Sequence, residues 1–183
     1  MSPWTIEESQ YVIKHHYLTI RKDVCRTEGG HIVDPFFVLE YPDSVVAVPL
    51  DKDGNVLVTR QYRHGVQRDV IELVGGRIEE GETPIAAAIR ELSEETGYAA
   101  ARAECVGTVA VNPSSVTSFA NVVVLYDCER VGEPEDNPAE RIESWMVSVD
   151  EILPMIFNGE FCQAIHISAL VMAMKHTGRL TIG

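Results

Sequence analysis

Three glutamates on one predicted helix, Glu91, Glu94 and Glu95, are the side chains of this sequence best suited to chemistry. At about 100° per residue they share an arc of about 100°, and Glu91 and Glu95 repel each other at a cost of about 0.2–0.5 kcal/mol. Arg90, four residues before Glu94, can neutralise one carboxylate. Clustered carboxylate oxygens are typical ligands of Mg²⁺ or Mn²⁺, which would relieve the repulsion.

The residues at both ends of this helix fix its bounds. Thr83 is a suitable N-cap, Pro84 suits the first helical position and Gly97 suits the end. Gly75 and Gly76 lie ahead of the helix, where the missing side chains let the backbone turn sharply beside a ligand. The pattern therefore predicts an acidic helix whose charged stripe faces a cleft or water.

The opposite arc of the helix carries Ile85, Ile89 and Leu92, which we expect to form its core face. Glu82, just before the helix, could pair with Arg90 and hold the preceding loop. The helix is therefore expected to dock on the protein through its isoleucines and leucine.

The rest of the chain reads as strands before and after this helix, followed by two helices. Residues 11–41 form two apolar runs around the Gly29–Gly30 turn, and residues 44–50 and 55–63 flank the turn 51–54, so both pairs read as hairpins. Further elements are expected as follows: strands at 70–76, 104–111, 118–129 and 141–149, a polar loop at 131–140, and helices at 150–159 and 161–176.

This order does not alternate strand and helix regularly, which argues against a doubly wound parallel sheet. We expect an α/β protein with a mixed sheet and helices on its faces. An N-terminal antiparallel strand region at 1–43 would precede the main domain at 44–183.

Composition limits the function classes. The chain has 183 residues, 45% of them hydrophobic, which suits one substantial core. A formal net charge of −13 argues against binding a nucleic-acid backbone. The four cysteines have no paired spacing and read as reduced thiols. The sequence shows neither a signal peptide nor an apolar run of about 18 residues, so we expect a cytoplasmic protein without a membrane span.

The residues from Gly76 to Tyr98 resemble the Nudix box, G-x5-E-x7-R-E-U-x-E-E-x-G-U, in which U is a bulky apolar residue. Tyr98 in the last U position is a mild departure that keeps bulk. The remaining fixed positions are all filled at the right spacing, by Gly76, Glu82, Arg90, Glu91, Leu92, Glu94, Glu95 and Gly97. The resemblance implies an α/β/α sandwich that hydrolyses a nucleoside diphosphate linked to another moiety.

The resemblance also implies roles for the box residues. Glu91 and Glu95 would bind the metal, Mg²⁺ or Mn²⁺, together with a backbone carbonyl of Gly75 or Gly76. Glu94 would be a further ligand or would support one. Arg90 and Glu82 would orient the carboxylates.

The flanks resemble ADP-ribose pyrophosphatases and related nucleoside diphosphate sugar hydrolases. This likeness rests on residues 59–65 and 71–76, on Pro113 sixteen residues after Gly97, and on the final helix. Arg63 is the cation expected at the diphosphate, and Glu72 would support the loop or touch substrate. Related enzymes form homodimers by exchanging N-terminal strands, which implies the same here, with the nucleobase near Tyr17, Arg21, Phe36 and Phe37.

The base that activates water is expected in the loop at 131–140 or just after it. Glu140, directly before a strand, best resembles the family arrangement; Glu133, Glu135 and Glu143 are alternatives. His166, on the apolar last helix, is expected to be a satisfied core histidine.

Two alternatives to ADP-ribose hydrolysis stay open. One is a GDP-mannose-type or broad sugar-nucleotide hydrolase. The other is a non-catalytic Nudix domain that senses a nucleotide, although such a domain would be expected to lose a box carboxylate and this chain keeps them all.

Overall fold

The computed structural model describes residues 3–138 and 141–180. The chain divides into two compact units, one of Met1–Pro42 with Ala110–Phe119 and the other of Asp43–Val109 with Ala120–Gly183. No helix in the described part of the chain is long and apolar enough to cross a membrane.

The first unit is built on an antiparallel sheet of three strands, β1 (Thr5–His15), β2 (Leu18–Arg26) and β3 (Ile32–Glu40), in the order β1-β2-β3. The β2–β3 hairpin around the Gly29–Gly30 turn confirms the prediction. Asp23 in β2 is buried and accepts hydrogen bonds from Ser9 and Arg21. Arg21, one of the residues considered for the nucleobase, is thus held within the sheet.

The second unit carries the predicted mixed sheet. Its strands and helices are β4 (Ser44–Pro49), β5 (Val56–Arg63), β6 (Arg68–Glu72), β7 (Val74–Arg77), α1 (Pro84–Thr96), β8 (Tyr98–Ala99), β9 (Arg102–Ala110), β10 (Phe119–Tyr126), β11 (Glu129–Arg130), β12 (Ile142–Val147), α2 (Val149–Asn158) and α3 (Ala164–His176). One sheet has the order β7-β4-β10-β9, with β4 parallel to β10 and antiparallel to β7. A second sheet, β12-β5-β6, is antiparallel.

The predicted hairpin across residues 51–54 is wrong in its pairing. The turn exists, with Gly54 N donating to Asp51 O at 3.0 Å, but β4 and β5 separate after a single bridge between Leu50 and Val56. β4 pairs with β7 and β10, and β5 pairs with β6 and β12. The two strands belong to different sheets because each already has a partner on both edges.

The predicted strand at 70–76 is two strands. β6 ends at Glu72 in one sheet and β7 starts at Val74 in the other, so the chain changes sheets at Leu73. Leu73 is buried, and its N–H donates to Nδ1 of His166 at 2.9 Å. The crossing therefore brings α3 against the segment that leads into Gly75 and Gly76.

Helix α1 begins and ends where the sequence predicted. The side chain of Thr83 accepts a hydrogen bond from Ala86 N at 3.2 Å, and Gly97 closes the helix in a left-handed conformation with φ of 71°. Gly97 N also donates to Ser93 O at 2.9 Å. The glycine is needed here because a side chain would strain that backbone conformation.

The predicted core face of α1 is wrong at Ile89, which is 44% exposed. The buried side chains are Ala87, Ala88, Leu92 and Thr96. Ile89 lies one residue, about 100°, beyond Ala88 around the helix. The two small alanines let the helix approach the sheet closely, and this orientation turns Ile89 towards solvent.

Strand β4 packs against two helices, α1 and α3. Val45 and Ala47 belong to the core cluster that includes Ala88 and Leu92 of α1. Because side chains alternate along a strand, Val46 faces the other side, where α3 contacts β4. Helices on both faces of this sheet confirm the expected α/β/α arrangement.

Candidate active site

The acidic stripe of α1 faces a cavity of about 130 Å³, called the α1 cavity below. It is lined by Glu91, Glu94 and Glu95 together with residues of the loop before β12, among them Glu135 and Asn137. Four carboxylates from two separate segments therefore meet at one small space. The helix supplies three of them at fixed spacing, and the tertiary fold supplies Glu135.

Backbone hydrogen bonds hold the loop against the end of α1. The N–H groups of Val131 and Gly132 donate to Gly97 O at 2.9 and 3.0 Å, and Glu135 N donates to Glu94 O at 2.8 Å. The last carbonyls of a helix have no partner within the helix, so they are available to a neighbouring loop. This contact places Glu135 beside the helix carboxylates.

Arg90 contacts more carboxylates than the sequence suggested. Its guanidinium donates to both oxygens of Glu82 at 3.0 and 3.1 Å, as expected, and also to Glu91 at 2.9 Å and Glu94 at 3.0 Å. A fifth bond reaches Arg77 O at 3.0 Å. One positive charge thus holds three carboxylates in place while balancing the charge of only one.

This network changes the pKa values of its members. The hydrogen bond from Arg90 and then the backbone N–H of Glu79 hold the pKa of Glu82 below its usual value. The bonds to Glu82 raise the pKa of Arg90, with further contributions from Glu91 and Glu94 that outweigh the effect of burial. Glu82 and Arg90 are therefore a fixed ion pair at neutral pH.

The donor set fits a hard divalent cation. Glu91 reaches over Gly76 so closely that a Cβ added there would lie 1.9 Å from its Oε1, so a larger residue would displace this carboxylate from its position. Carboxylate oxygens and carbonyls are the ligands such cations prefer. Within residues 3–138 and 141–180, no three acidic, histidine or cysteine side chains already surround one point closely enough to hold an ion.

A larger cavity of about 540 Å³, called the α3 cavity, lies beside β7 and the start of α3. Its lining includes Arg63, Glu72, Gly75, Gly76, Gln163 and His166. Gly76 links the two cavities, because it lines this one and also contacts Glu91. A ligand bound at Gly76 would thus be within reach of residues from both cavities.

Arg63 and Glu72 form one unit in the α3 cavity. Arg63 donates from Nε to both oxygens of Glu72 at 3.1 Å and from Nη2 to one of them at 2.6 Å. Glu72 is 3% exposed, whereas the Arg63 side chain is 41% exposed. The buried carboxylate therefore orients an arginine that still presents a surface to the cavity.

His166 is a buried, hydrogen-bonded histidine, as the sequence indicated. Its Nδ1 accepts from Leu73 N, and burial together with the charge of Arg63 lowers its pKa to about 3. The ring is therefore neutral at physiological pH. Because Nδ1 accepts, the ring proton is on Nε2. The bond to Leu73 was not foreseen, since it depends on the change of sheets there.

Four further residues that the sequence predicted for the site are not among the described residues lining the α1 and α3 cavities. Glu133 pairs with Arg130 at 2.7 Å and is 85% exposed. Glu143 lies on β12 within 3.9 Å of Arg60 and lines a different cavity. Pro113 is exposed in a turn of the first unit and is not among the residues lining the α1 and α3 cavities. Glu140, the favoured base, lies outside the described residues.

The mixed α/β fold places a carboxylate-lined cavity next to a glycine-rich strand, an arrangement suited to a divalent cation beside a bound anion. Comparisons with known proteins specify the class of protein. A NUDIX domain model matches residues 40–164, and a nucleoside diphosphate sugar hydrolase N-terminal domain model matches residues 4–39. This chain belongs to the Nudix hydrolase family and is a pyrophosphohydrolase.

Relatives support this assignment. The chain is 30% identical over 155 residues to an ADP-ribose pyrophosphatase of Mycobacterium tuberculosis, covering 83% of this chain and 74% of that protein. It is 26% identical over 148 residues to the methanol dehydrogenase activator of Bacillus methanolicus, covering 76% and 78%. A crystal structure of an ADP compounds hydrolase shares the fold, with a TM-score of 0.85, 24% identity and 98% of both chains covered.

Proposed function

We propose that this enzyme hydrolyses the diphosphate of ADP-ribose or a related nucleoside diphosphate sugar, giving a nucleoside monophosphate and a sugar phosphate. The observation that carries the reaction is the meeting of Glu91, Glu94, Glu95 and Glu135 at one cavity beside Gly76. The observation that carries the substrate class is the match of residues 4–39 to an N-terminal domain of nucleoside diphosphate sugar hydrolases.

The carboxylates of α1 are suited to hold Mg²⁺ or Mn²⁺. Glu91 and Glu95, with a carbonyl of Gly75 or Gly76, would provide the ligands, and Glu94 would complete or support them. Such a cation would neutralise the diphosphate and lower the pKa of a water molecule. Arg90 and Glu82 would keep the carboxylates in place before and after binding, because Arg90 bonds Glu82, Glu91 and Glu94 together.

The diphosphate would lie between the two cavities. Arg63 donates in a planar fork that matches phosphate oxygens, and Glu72 fixes its direction. A substrate placed there has its anhydride beside Gly76 and Glu91. The role of Pro113 as a mark of ADP-ribose specificity remains a proposal from sequence.

Glu135 is the base that the described geometry favours. It lines the α1 cavity, whereas Glu133 and Glu143 pair with arginines elsewhere. A carboxylate in this position can accept a proton from the attacking water and orient it towards phosphorus. Glu140 keeps the support of the sequence pattern, and substitution of the two residues decides between them.

A homodimer is part of the proposal. Strand β1 is exposed at each of its 11 positions and ends its sheet, and it carries the exposed apolar residues Ile6, Tyr11 and Ile13. An exposed edge strand with apolar side chains presents unpaired backbone groups and an apolar surface to which a second chain can bind. Light scattering should give twice the mass of the chain, and a monomer at micromolar concentration would contradict this part of the proposal.

The test is a turnover panel of ADP-ribose, ADP-glucose, GDP-mannose, UDP-glucose and NADH, each with Mg²⁺ and with EDTA, and with products separated by chromatography. Metal-dependent release of AMP and ribose 5-phosphate, with slow turnover of the others, is the expected result. Similar rates across the sugar nucleotides would indicate a broad hydrolase. Nucleotide binding without turnover of any compound would contradict the proposal and favour a sensor.

A further inference from the structure

Two residues that line the α3 cavity each carry a polar atom without a hydrogen-bond partner among the described residues. His166 is 6% exposed, and Nδ1 is occupied by Leu73 N, which leaves the Nε2–H as a donor. Among residues 3–138 and 141–180, no group accepts a hydrogen bond from Nε2. Nε2 is not among the enclosed polar atoms without a partner in the described residues, so it can be reached from the cavity and can donate to a ligand there.

Gln163 provides the second atom. Its side-chain oxygen is buried and has no hydrogen-bond partner among the described residues. Gln163 precedes the first residue of α3 and lines the same cavity as His166. Gln163 and His166, three residues apart at the start of α3, thus carry one acceptor without a partner, which the protein encloses, and one donor without a partner.

These atoms fit a group rich in hydroxyls. A hydroxyl can accept from the Nε2–H of His166, and it can donate to the oxygen of Gln163 once that side chain turns towards the cavity. The rest of the lining mixes apolar side chains, such as Val66, Val70 and Ile165, with the Arg63–Glu72 pair. None of the described residues that line the cavity is Phe, Tyr or Trp, so within one chain the cavity offers no aromatic surface for stacking a nucleobase.

We propose that the α3 cavity binds the sugar phosphate half of the substrate, with His166 and Gln163 contacting hydroxyls of the sugar and Arg63 contacting its phosphate. The volume of about 540 Å³ is in the usual range of small-molecule sites. The inference rests on the proposed function, since it assigns one half of a nucleoside diphosphate sugar to this space. His166 and Gln163 then determine specificity among the sugars.

The bond from Leu73 to His166 allows a recognition role to be separated from a structural one. In His166→Asn, the amide oxygen can stand where Nδ1 accepts from Leu73 N, while the Nε2–H is lost. In His166→Gln, an amide N–H can stand near Nε2, while the acceptor for Leu73 is lost. The first variant therefore tests recognition, and the second tests the support of the β6–β7 crossing.

The experiment is isothermal titration of the full chain with ribose 5-phosphate and with AMP. We expect His166→Asn and Gln163→Ala each to weaken binding of ribose 5-phosphate by about 5- to 10-fold, the loss of one hydrogen bond, and to leave AMP binding unchanged. His166→Gln should retain more of the ribose 5-phosphate affinity than His166→Asn and show a lower melting temperature. Ser168→Ala, an exposed position on α3, is the matched control and should change neither.

Three results would overturn the inference: no binding of ribose 5-phosphate by the unsubstituted chain, equal weakening of both ligands, or weakening of AMP alone, which would place the nucleoside half in the cavity. Binding is measured without turnover, so it is independent of the substrate panel. If the panel fails while ribose 5-phosphate binding responds to His166→Asn, the proposed reaction is wrong and the sugar phosphate site stands.

Discussion

The α1 cavity and the α3 cavity lie on either side of the contact between Glu91 and Gly76, and they differ in the balance of charge among their side chains. The α1 cavity gathers four carboxylates, with Arg90 bonded to two of them and Glu82. In the α3 cavity, the buried Glu72 is paired with Arg63, and His166 is neutral because its pKa is lowered. An excess of negative charge is useful where a cation must bind, and balanced or neutral groups are useful where a polar ligand must be recognised. This difference supports the proposal that the reaction takes place at the α1 cavity and that the α3 cavity recognises the ligand.

Glu95→Gln should give the largest effect, because it removes a proposed metal ligand without changing the shape of the side chain. We expect kcat to fall by roughly 10²–10³-fold, equivalent to several kcal/mol of transition-state stabilisation. The free energy of unfolding should stay within about 0.5 kcal/mol, since repulsion from Glu91 is relieved. Steady-state kinetics and urea unfolding provide the two readouts.

Glu80→Gln is the control for that substitution, as Glu80 is exposed in the loop before the helix. Its activity should match that of the unsubstituted enzyme. If Glu95→Gln kept the full rate, the α1 cavity would not be the metal site.

Glu135→Gln should have the next largest effect. Loss of a general base lowers kcat by about 10²-fold, and KM should change little because the base acts on water. Glu133→Gln and Glu143→Gln are the controls, because both side chains pair with arginines away from the α1 cavity. A large loss in Glu140→Gln with a normal Glu135→Gln would transfer the role to Glu140.

Arg90→Lys tests whether geometry matters in the α1 cavity beyond charge. Lysine keeps the positive charge but cannot bond Glu82, Glu91 and Glu94 together in the way a guanidinium does. Metal affinity should weaken by about 10–100-fold, and titration of activity with Mg²⁺ measures it.

Arg102→Lys is the matched control for Arg90→Lys, because Arg102 also pairs with a glutamate, Glu104, at an exposed position. It should leave the Mg²⁺ titration unchanged. An unchanged titration in Arg90→Lys as well would mean that the positive charge alone organises the carboxylates.

The pH dependence of stability probes the α3 cavity and is the smallest expected effect. The pKa of His166 falls from 6.5 to about 3 in the folded protein, so between these values the unfolded chain binds the extra proton. The free energy of unfolding should therefore decrease as pH falls through this window, by at most about 1.4 kcal/mol per pH unit. His166→Asn should remove this part of the slope in urea unfolding. An identical slope in both proteins would mean that the histidine is already protonated in the fold.

The features that the sequence predicted correctly depend on interactions between residues close together in the chain. The caps Thr83 and Gly97, the spacing of the three helix glutamates and the contact of Glu82 with Arg90 depend on residues close together in the chain. The Nudix box lies in this one stretch, so the family and the position of the acidic stripe follow from it. Most of the strands also follow from runs of β-branched and aromatic residues that are bounded by turn residues.

Contacts between distant segments needed the tertiary structure. Ile89 was expected in the core and is exposed, because Ala87 and Ala88 set how the helix meets the sheet. The strand at 70–76 divides at Leu73 because its two halves find partners in different sheets. Neither outcome can be predicted from local periodicity, because periodicity indicates that an element is amphipathic but not which other element it packs against or pairs with.

The sequence by itself determined the helix, its caps and the carboxylates that it carries, since 3.6 residues per turn fix their spacing whatever surrounds them. Only the tertiary structure decided that Glu135 joins these carboxylates and that His166 presents one free N–H to a cavity. Glu135 is placed by a loop bonding to the unpaired carbonyls of α1, and His166 by a strand that changes sheets 93 residues away. Both depend on hydrogen bonds whose partners lie far apart in the chain.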